Sequence, residues 1–214
     1  MSPSDRRQAI IDAALSVALR KGFGSTTVRD VATELGCSSG LIHHYFDAMD
    51  DVLAAAFEQA AGRDLAGIES AMAATEDPIE KLTAFFASYA RGDQDWAFQL
   101  WLDAWAEAAR QPALGATSRR LNVAWQQLLV SAIDAGVRSG TFTCPDPDAT
   151  AWRMVSLLDG LALQAVAHAS VVPREVSLEW SIAATEDELG VPRGSLPRPS
   201  GIVHAAATTS LAAR

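Results

Sequence analysis

The stretch TTVRDVATELGCSSGLIHHYF, residues 26 to 46, decides how the rest of the chain is read. Its apolar residues fall into two sets at helical spacing. Val28, Val31, Ala32 and Leu35 make one face, and Leu41, Ile42, Tyr45 and Phe46 make another, the pattern of two short amphipathic helices. Thr27 stands where a helix N-cap is needed, with Asp30 three residues on as its capping-box partner. Gly36 ends the first helix where a left-handed residue is needed, and Ser38 can cap the second. A three-residue turn between two such helices is the spacing of a helix-turn-helix, in which the second helix lies in the major groove of DNA and the first crosses the backbone.

Upstream, Ser2, Pro3 and Asp5 fall at cap, first-turn and capping-box positions of a helix that should end at Gly22, with Ile10, Ile11, Ala14, Leu15 and Ala18 as its core stripe. Together with this helix, the opening stretch resembles the amino-terminal domain of the TetR family of transcriptional regulators. The match is carried by Ile11, Ala13, Ala14 and Gly22, then by Thr26, Thr27, Val28, Val31, Ala32, Gly36, Ser38, Gly40, Ile42, Tyr45, Phe46 and Leu53. The resemblance covers about the first quarter of the chain. It implies an all-α fold, here of about nine helices, with a three-helix DNA-binding head carrying a helix-turn-helix (1–46) and a helical ligand-binding and dimerisation body (47–190). Residues 191–214, with three prolines, small residues and no period, read as a flexible tail.

By resemblance and helical phase, Ser39, Gly40, Leu41, His43 and His44 are expected to face DNA. Gly40 allows close backbone approach, the histidines can donate to base edges or phosphates, and Leu41 can meet a thymine methyl. Thr27 and Tyr45 look like the family's phosphate contacts, and Ser38 belongs to the same expected DNA-binding set. Arg6 and Arg7 either reach phosphate or the minor groove or form a solvated first turn. A metal site at His43 and His44 is disfavoured, because helix neighbours point about 100° apart and no Cys or Glu cluster accompanies them. In one place the chain departs from the family pattern. Met49 replaces the usual Lys, between Asp47 and the pair Asp50 and Asp51. There Asp47 is expected to cap the fourth helix with Asp50 three residues on, which leaves a phosphate contact in doubt.

The chain has 214 residues, is 49% hydrophobic and carries a net charge of −9, enough apolar content for a sizeable core. Phosphate contacts need basic side chains, yet residues 1–47 hold five basic and five acidic ones. The whole acidic excess therefore lies behind a neutral head. The polar start MSPSDRRQ is not a signal peptide and no apolar run approaches 18 residues, so a cytoplasmic protein with no membrane partner is expected. Cys37 and Cys144 form no CxxC pair and suit a reducing compartment.

The fourth helix should run to about residue 74, with Gly62 and Gly67 allowing a bend or close packing. A fifth follows with Ile79, Leu82, Phe86 and Tyr89 inward, then a turn around Gly92. A sixth spans 95–110, a seventh runs from about 114 to 136, an eighth from 147 to 169 and a ninth from 177 to 189. The eighth carries Trp152, Met154, Val155, Leu157, Leu158, Leu161 and Leu163 nearly all round. Such a helix must be covered on every side, so a homodimer through the eighth and ninth helices, residues 147–189, is expected. The stretch VPRGS at 191–195 looks like part of an engineered protease linker, with chance the preferred explanation.

All six tryptophans lie outside the head. Trp101 and Trp105 are one helical turn apart, and Asp159 stands in the apolar eighth helix with Gln164 and His168 after it. Either Trp101, Trp105 and Trp125 wall a pocket in which Asp159 neutralises a cation, or they fill the core and Asp159 bonds to a neighbouring helix. The stretches LWLDAWAEAARQPAL (100–114) and SLLDGLALQ (156–164) resemble the body of the choline-responsive branch of the family, motifs shared by regulators of other ligands, which implies the architecture more than the ligand. The effector is expected to be a small molecule, and a cation on the pocket reading. The expected function is a homodimeric repressor on a pseudo-palindromic operator of double-stranded DNA, released by a small molecule and using no cofactor or metal. The rival is a helical ligand carrier or enzyme that does not use DNA. No HExxH, GxSxG, GxxxxGK[ST] or Rossmann glycine motif is present to support it.

Overall fold

The computed structural model describes residues 2–90, 95–167 and 172–198. Gly92, His168 and the chain beyond 198 lie outside the described residues. Within them the order is α1 (Pro3–Lys21), a single 3₁₀ turn (Phe23–Ser25), α2 (Val28–Leu35), α3 (Ser39–Tyr45), α4 (Met49–Ala73), α5 (Pro78–Ala90), α6 (Asp95–Glu107), α7 (Pro112–Ser139), α8 (Pro147–Ala167) and α9 (Arg174–Glu188). No strand occurs among the described residues.

The spine is α4, whose 25 residues reach about 37 Å at helical rise. It touches three apolar clusters in succession. Val52 and Ala56 close the head against Ile10, Ile11, Val31, Ala32, Ile42 and Phe46. Leu53, Phe57, Ala60 and Ala61 then pack with Phe23, Leu100, Ala104, Leu114 and Leu121 at a junction between head and body. Farther along, Ile68 and Met72 join the body core around Phe85, Phe86, Leu129, Ile133 and Leu178. Gly62 and Gly67 lie inside this continuous helix, and a side chain at Gly67 would meet nothing within 4 Å. Close packing is therefore not why Gly67 is there.

Several boundaries differ from those expected. Ala48, not Asp47, occupies the α4 cap position, and its N–H donates to Asp51 at 3.1 Å. That frees Asp50 for another partner. Ser38 stands at the α3 cap in extended backbone but makes no side-chain cap bond. The sixth helix stops at Glu107, and Pro112 opens α7 as its first residue. At the other end α7 passes through Gly136, where a Cβ would lie 2.0 Å from the Phe142 ring. That glycine serves a close contact, and Gly140, left-handed at φ 75°, ends the helix. The ninth helix begins three residues earlier than expected.

The expected flexible tail is corrected over residues 191–198. Leu196 is fully buried in the body core. The N–H groups of Gly194 and Leu196 both donate to Glu186 at 2.9 Å. Arg198 pairs with Glu186 at 2.7 Å and Glu179 at 2.8 Å. A buried carboxylate thus organises a segment that has no hydrophobic period of its own. Along the α8–α9 side, Leu157, Leu163 and Trp180 remain 36%, 43% and 52% exposed.

Candidate functional site

The head is built from local bonds. Thr27 and Asp30 form the reciprocal capping box, with Asp30 N–H donating to Thr27 at 3.2 Å and Thr27 N–H donating to Asp30 at 3.0 Å. Lys21 adds an ion pair to Asp30 at 2.8 Å. The Lys21 bond first, and then the Thr27 bonds, lower the Asp30 carboxyl to about 2. Arg20 pairs with Glu34 at 2.6 Å, joining α1 to α2. Gly36 adopts φ 67°, and the three-residue turn delivers α3 with Ile42 and Phe46 inside.

The opposite side of α3 is open. Gly40, His43 and His44 are exposed, as is Ser38, while Ser39, Leu41 and Tyr45 are half-buried. The His44 ring meets Tyr45 edge-on at 5.2 Å, which restrains both. Arg7 lies over the Phe46 ring, 4.7 Å from its centroid. Arg29, which the sequence reading did not select, is exposed on α2 and makes no ion pair among the described residues. Its cue was its place in the first turn of α2, just after the cap. Among the described residues no group of three metal-ligating side chains forms.

A second site lies in the body. Trp101, Trp105, Trp125 and Asp159, which are up to 58 positions apart, line one cavity of about 50 Å³, room for a few waters. Its walls come from α4, α5, α6, α7 and α8. Trp101 and Trp105 stand 5.6 Å apart between ring centroids. Tyr89 lies 5.8 Å from Phe98 and 6.2 Å from Trp125, so five aromatic rings surround the space. Tyr89, expected in the core, lines this cavity with Phe98, Asp64 and Asn122, none of which the sequence marks as a site residue. Helical phase shows that a residue points inward, not whether it meets a neighbour or a void.

Asp159 makes no hydrogen bond or ion pair among the described residues. Burial pushes its carboxyl up to about 7. Burial also raises the Tyr89 hydroxyl, with Asp159 and then Asp64 adding to the effect. A partnerless carboxylate among aromatic faces is complementary to an organic cation, which gains from the charge and from the rings together.

Besides α4, which closes the head, two more helices of this cavity reach the junction with it. Asp103 and Glu107 of α6 lie against Gly22 and Gly24, where an added Cβ would sit 3.4 and 2.5 Å from their carboxylates. Asp50 accepts the N–H groups of Ala113 and Leu114 at 2.8 and 3.0 Å, so an acid in the first turn of α4 caps the start of α7.

An exposed reading helix on a three-helix head, carried by a larger helical body with its own cavity, defines a ligand-responsive class of helix-turn-helix DNA-binding proteins. Residues 10–56 match the family described as bacterial regulatory proteins, tetR family, and residues 78–190 match the BetI-type transcriptional repressor C-terminal family. The HTH-type transcriptional regulator BetI of Rhizobium meliloti (strain 1021) is 32% identical over 186 residues, covering 85% of this chain and 86% of the relative. A transcriptional regulator from Pseudomonas aeruginosa PAO1 superposes with a TM-score of 0.76 at 25% identity, covering 88% of this chain and 92% of that one. A regulator from Saccharomonospora viridis, solved in complex with choline, superposes at 0.74 with 23% identity, covering 84% and 94%. The chain belongs to the TetR family of transcriptional regulators, in its BetI-type branch, a family of DNA-binding repressors.

Proposed function

We propose that this regulator is a homodimeric repressor that leaves a pseudo-palindromic operator when a small quaternary ammonium cation enters the aromatic cavity. The observation that carries the reading is Asp159, a half-buried carboxylate with no partner among the described residues, lining a space walled by five aromatic rings. The choline complex of the Saccharomonospora viridis regulator supports the same chemical class.

On the DNA side, Ser39, Gly40, Leu41, His43 and His44 read base edges, and Thr27, Ser38, Tyr45 and Arg29 hold phosphates. Residues 1–46, closed by the first turns of α4, act as the reading head, and residues 47–190, with 191–198 packed onto them, act as the body. The exposed Leu157, Leu163 and Trp180 support pairing of two copies through α8 and α9, and two heads are what a two-fold operator requires. A cytoplasmic location fits access to DNA, and no described helix is long and apolar enough to cross a membrane.

The cation couples to the head through α6 and α7. Trp101 and Trp105 of α6 line the cavity while Asp103 and Glu107 of the same helix touch the head. Trp125 of α7 lines the cavity while the first turn of that helix is held by Asp50. Widening the cavity therefore displaces both contacts, provided the cation prefers the geometry that does not fit DNA.

The test is a fluorescence-anisotropy titration against the DNA flanking the gene, with scrambled DNA as control, repeated with choline. Saturable binding at two subunits or a multiple per site, weakened by choline, is expected. Binding indifferent to choline would overturn the effector assignment, and equal weak binding to both DNAs would overturn the operator assignment at this locus.

A further inference from the structure

One polar atom of the aromatic cavity is left unsatisfied by its own walls. Trp125 is 6% exposed, its indole lines the cavity, and its Nε1–H is buried without an acceptor. Indole nitrogen is a donor only, so nothing but an acceptor can satisfy it. The ring is not free to turn in search of one, since Phe85 and Tyr89 pack against it with centroids 6.0 and 6.2 Å away. Asp159 makes no hydrogen bond to it. The cavity therefore has two separate unmet demands, a carboxylate that wants a cation and an N–H that wants an acceptor.

Asn122, one turn earlier on α7, lines the same space, as does Ser88, whose hydroxyl donates to the Phe85 carbonyl at 2.6 Å and keeps its oxygen free to accept. This wall is polar without being charged. A tetraalkylammonium with only carbon substituents meets the first demand and leaves the second, because a buried donor with no partner stays costly when an alkyl group fills the space beside it.

We infer that Trp125 is a specificity-determining residue: its indole N–H donates to an acceptor oxygen on the effector, selecting an oxygen-bearing quaternary ammonium over an all-carbon one of the same shape. The inference rests on the reading of the cavity as a cation site and adds the second functional group that the cation must carry.

Isothermal titration of the full chain with choline and with n-propyltrimethylammonium, in which methyl replaces hydroxyl, tests it. The protein should bind choline about tenfold more tightly, the size of one neutral hydrogen bond to a buried donor. Trp125→Phe should erase the difference between the two cations, bringing choline to the level of the propyl compound, while the smaller ring lowers both affinities by a common factor. Replacing Trp125 with 3-benzothienylalanine keeps the bicyclic shape and removes only the N–H, and should give the same loss if the phenylalanine variant melts early. Equal binding of the two cations by the unaltered protein, or a choline preference that survives both replacements, overturns the inference and leaves the cation site standing. Binding of neither cation overturns the cation site, and this inference with it.

Discussion

Carboxylates in the head and in the body are used in opposite ways. Asp30 and Glu34 sit at the surface, each already paired with a basic side chain and a hydroxyl, and both are held below the ordinary carboxylate range. Asp159 is half-buried at the body cavity with no partner among the described residues, and the loss of solvent there carries its carboxyl up to about 7. A satisfied acid maintains structure and has little to offer a ligand. An unsatisfied one can be relieved by an incoming cation, which is why the proposed effector site lies in the body rather than in the head.

The largest effect should come from removing that leverage. Asp159→Asn should weaken choline binding by about a hundredfold or more, since the ionic partner is lost from a poorly solvated site, while operator binding without ligand stays within about threefold. Titration of choline into the variant checks this, and undiminished affinity would break the contrast between the two regions.

The second effect is on pH. Choline affinity should fall about tenfold per pH unit below about 7 and level off above it, because the cation needs Asp159 ionised. Asp159 and Asp64 both act on the Tyr89 hydroxyl, and any pH dependence that Asp159→Asn leaves behind does not belong to Asp159. Stability runs the other way. Between the ordinary carboxylate value of 3.8 and about 7, the folded chain keeps a proton that the unfolded chain has released, so stability falls as pH rises through this window. Asp159→Asn should flatten that fall in thermal melts. Asp30 has the reverse sign: its contribution is present above 3.8 and lost as pH falls through about 2.

The third is at the reading helix. His44→Ala should weaken operator binding about tenfold, the scale of one base-edge contact, with the melting temperature unchanged because His44 is exposed. An unchanged affinity would remove α3 from the groove.

The smallest is at the contact between the two regions. Asp50→Ala should cost about 1 to 2 kcal/mol of stability, the range for loss of a helix cap, measured by denaturant titration. If the route through α7 is real, the same variant should also reduce the factor by which choline weakens operator binding, without changing choline affinity. A stability loss with the factor intact would confine Asp50 to holding the helix.

The cap, the turn and the two apolar faces of residues 26–46 are legible in sequence because each involves neighbours within about four positions. Thr27 meets Asp30, Gly36 takes the left-handed backbone, and Ile42 and Phe46 point inward as their phase requires. Asp47, Asp50 and Asp51 were harder to separate, because three acids near one helix start compete for a single cap. The junction resolved them by giving Asp50 a second helix to cap. Residues 191–198 were misread because their order comes from the buried Glu186 and from Leu196 entering a distant core, neither of which leaves a local pattern.

What the sequence by itself determined was the head and the all-helical class, since capping chemistry and a 3.6-residue period act within one or two turns of chain. Trp101, Trp105, Trp125 and Asp159 could be named from it, but two fates were open to them, a filled core or a walled space. Only the tertiary structure brings the four to one cavity of about 50 Å³, with Trp125 and Trp101 also packed against the body core. Whether a carboxylate is unpaired, an indole N–H orphaned or a cavity left open depends on what four other helices bring to the same place, and burial of that kind belongs to the packed assembly of helices, not to any one stretch of chain.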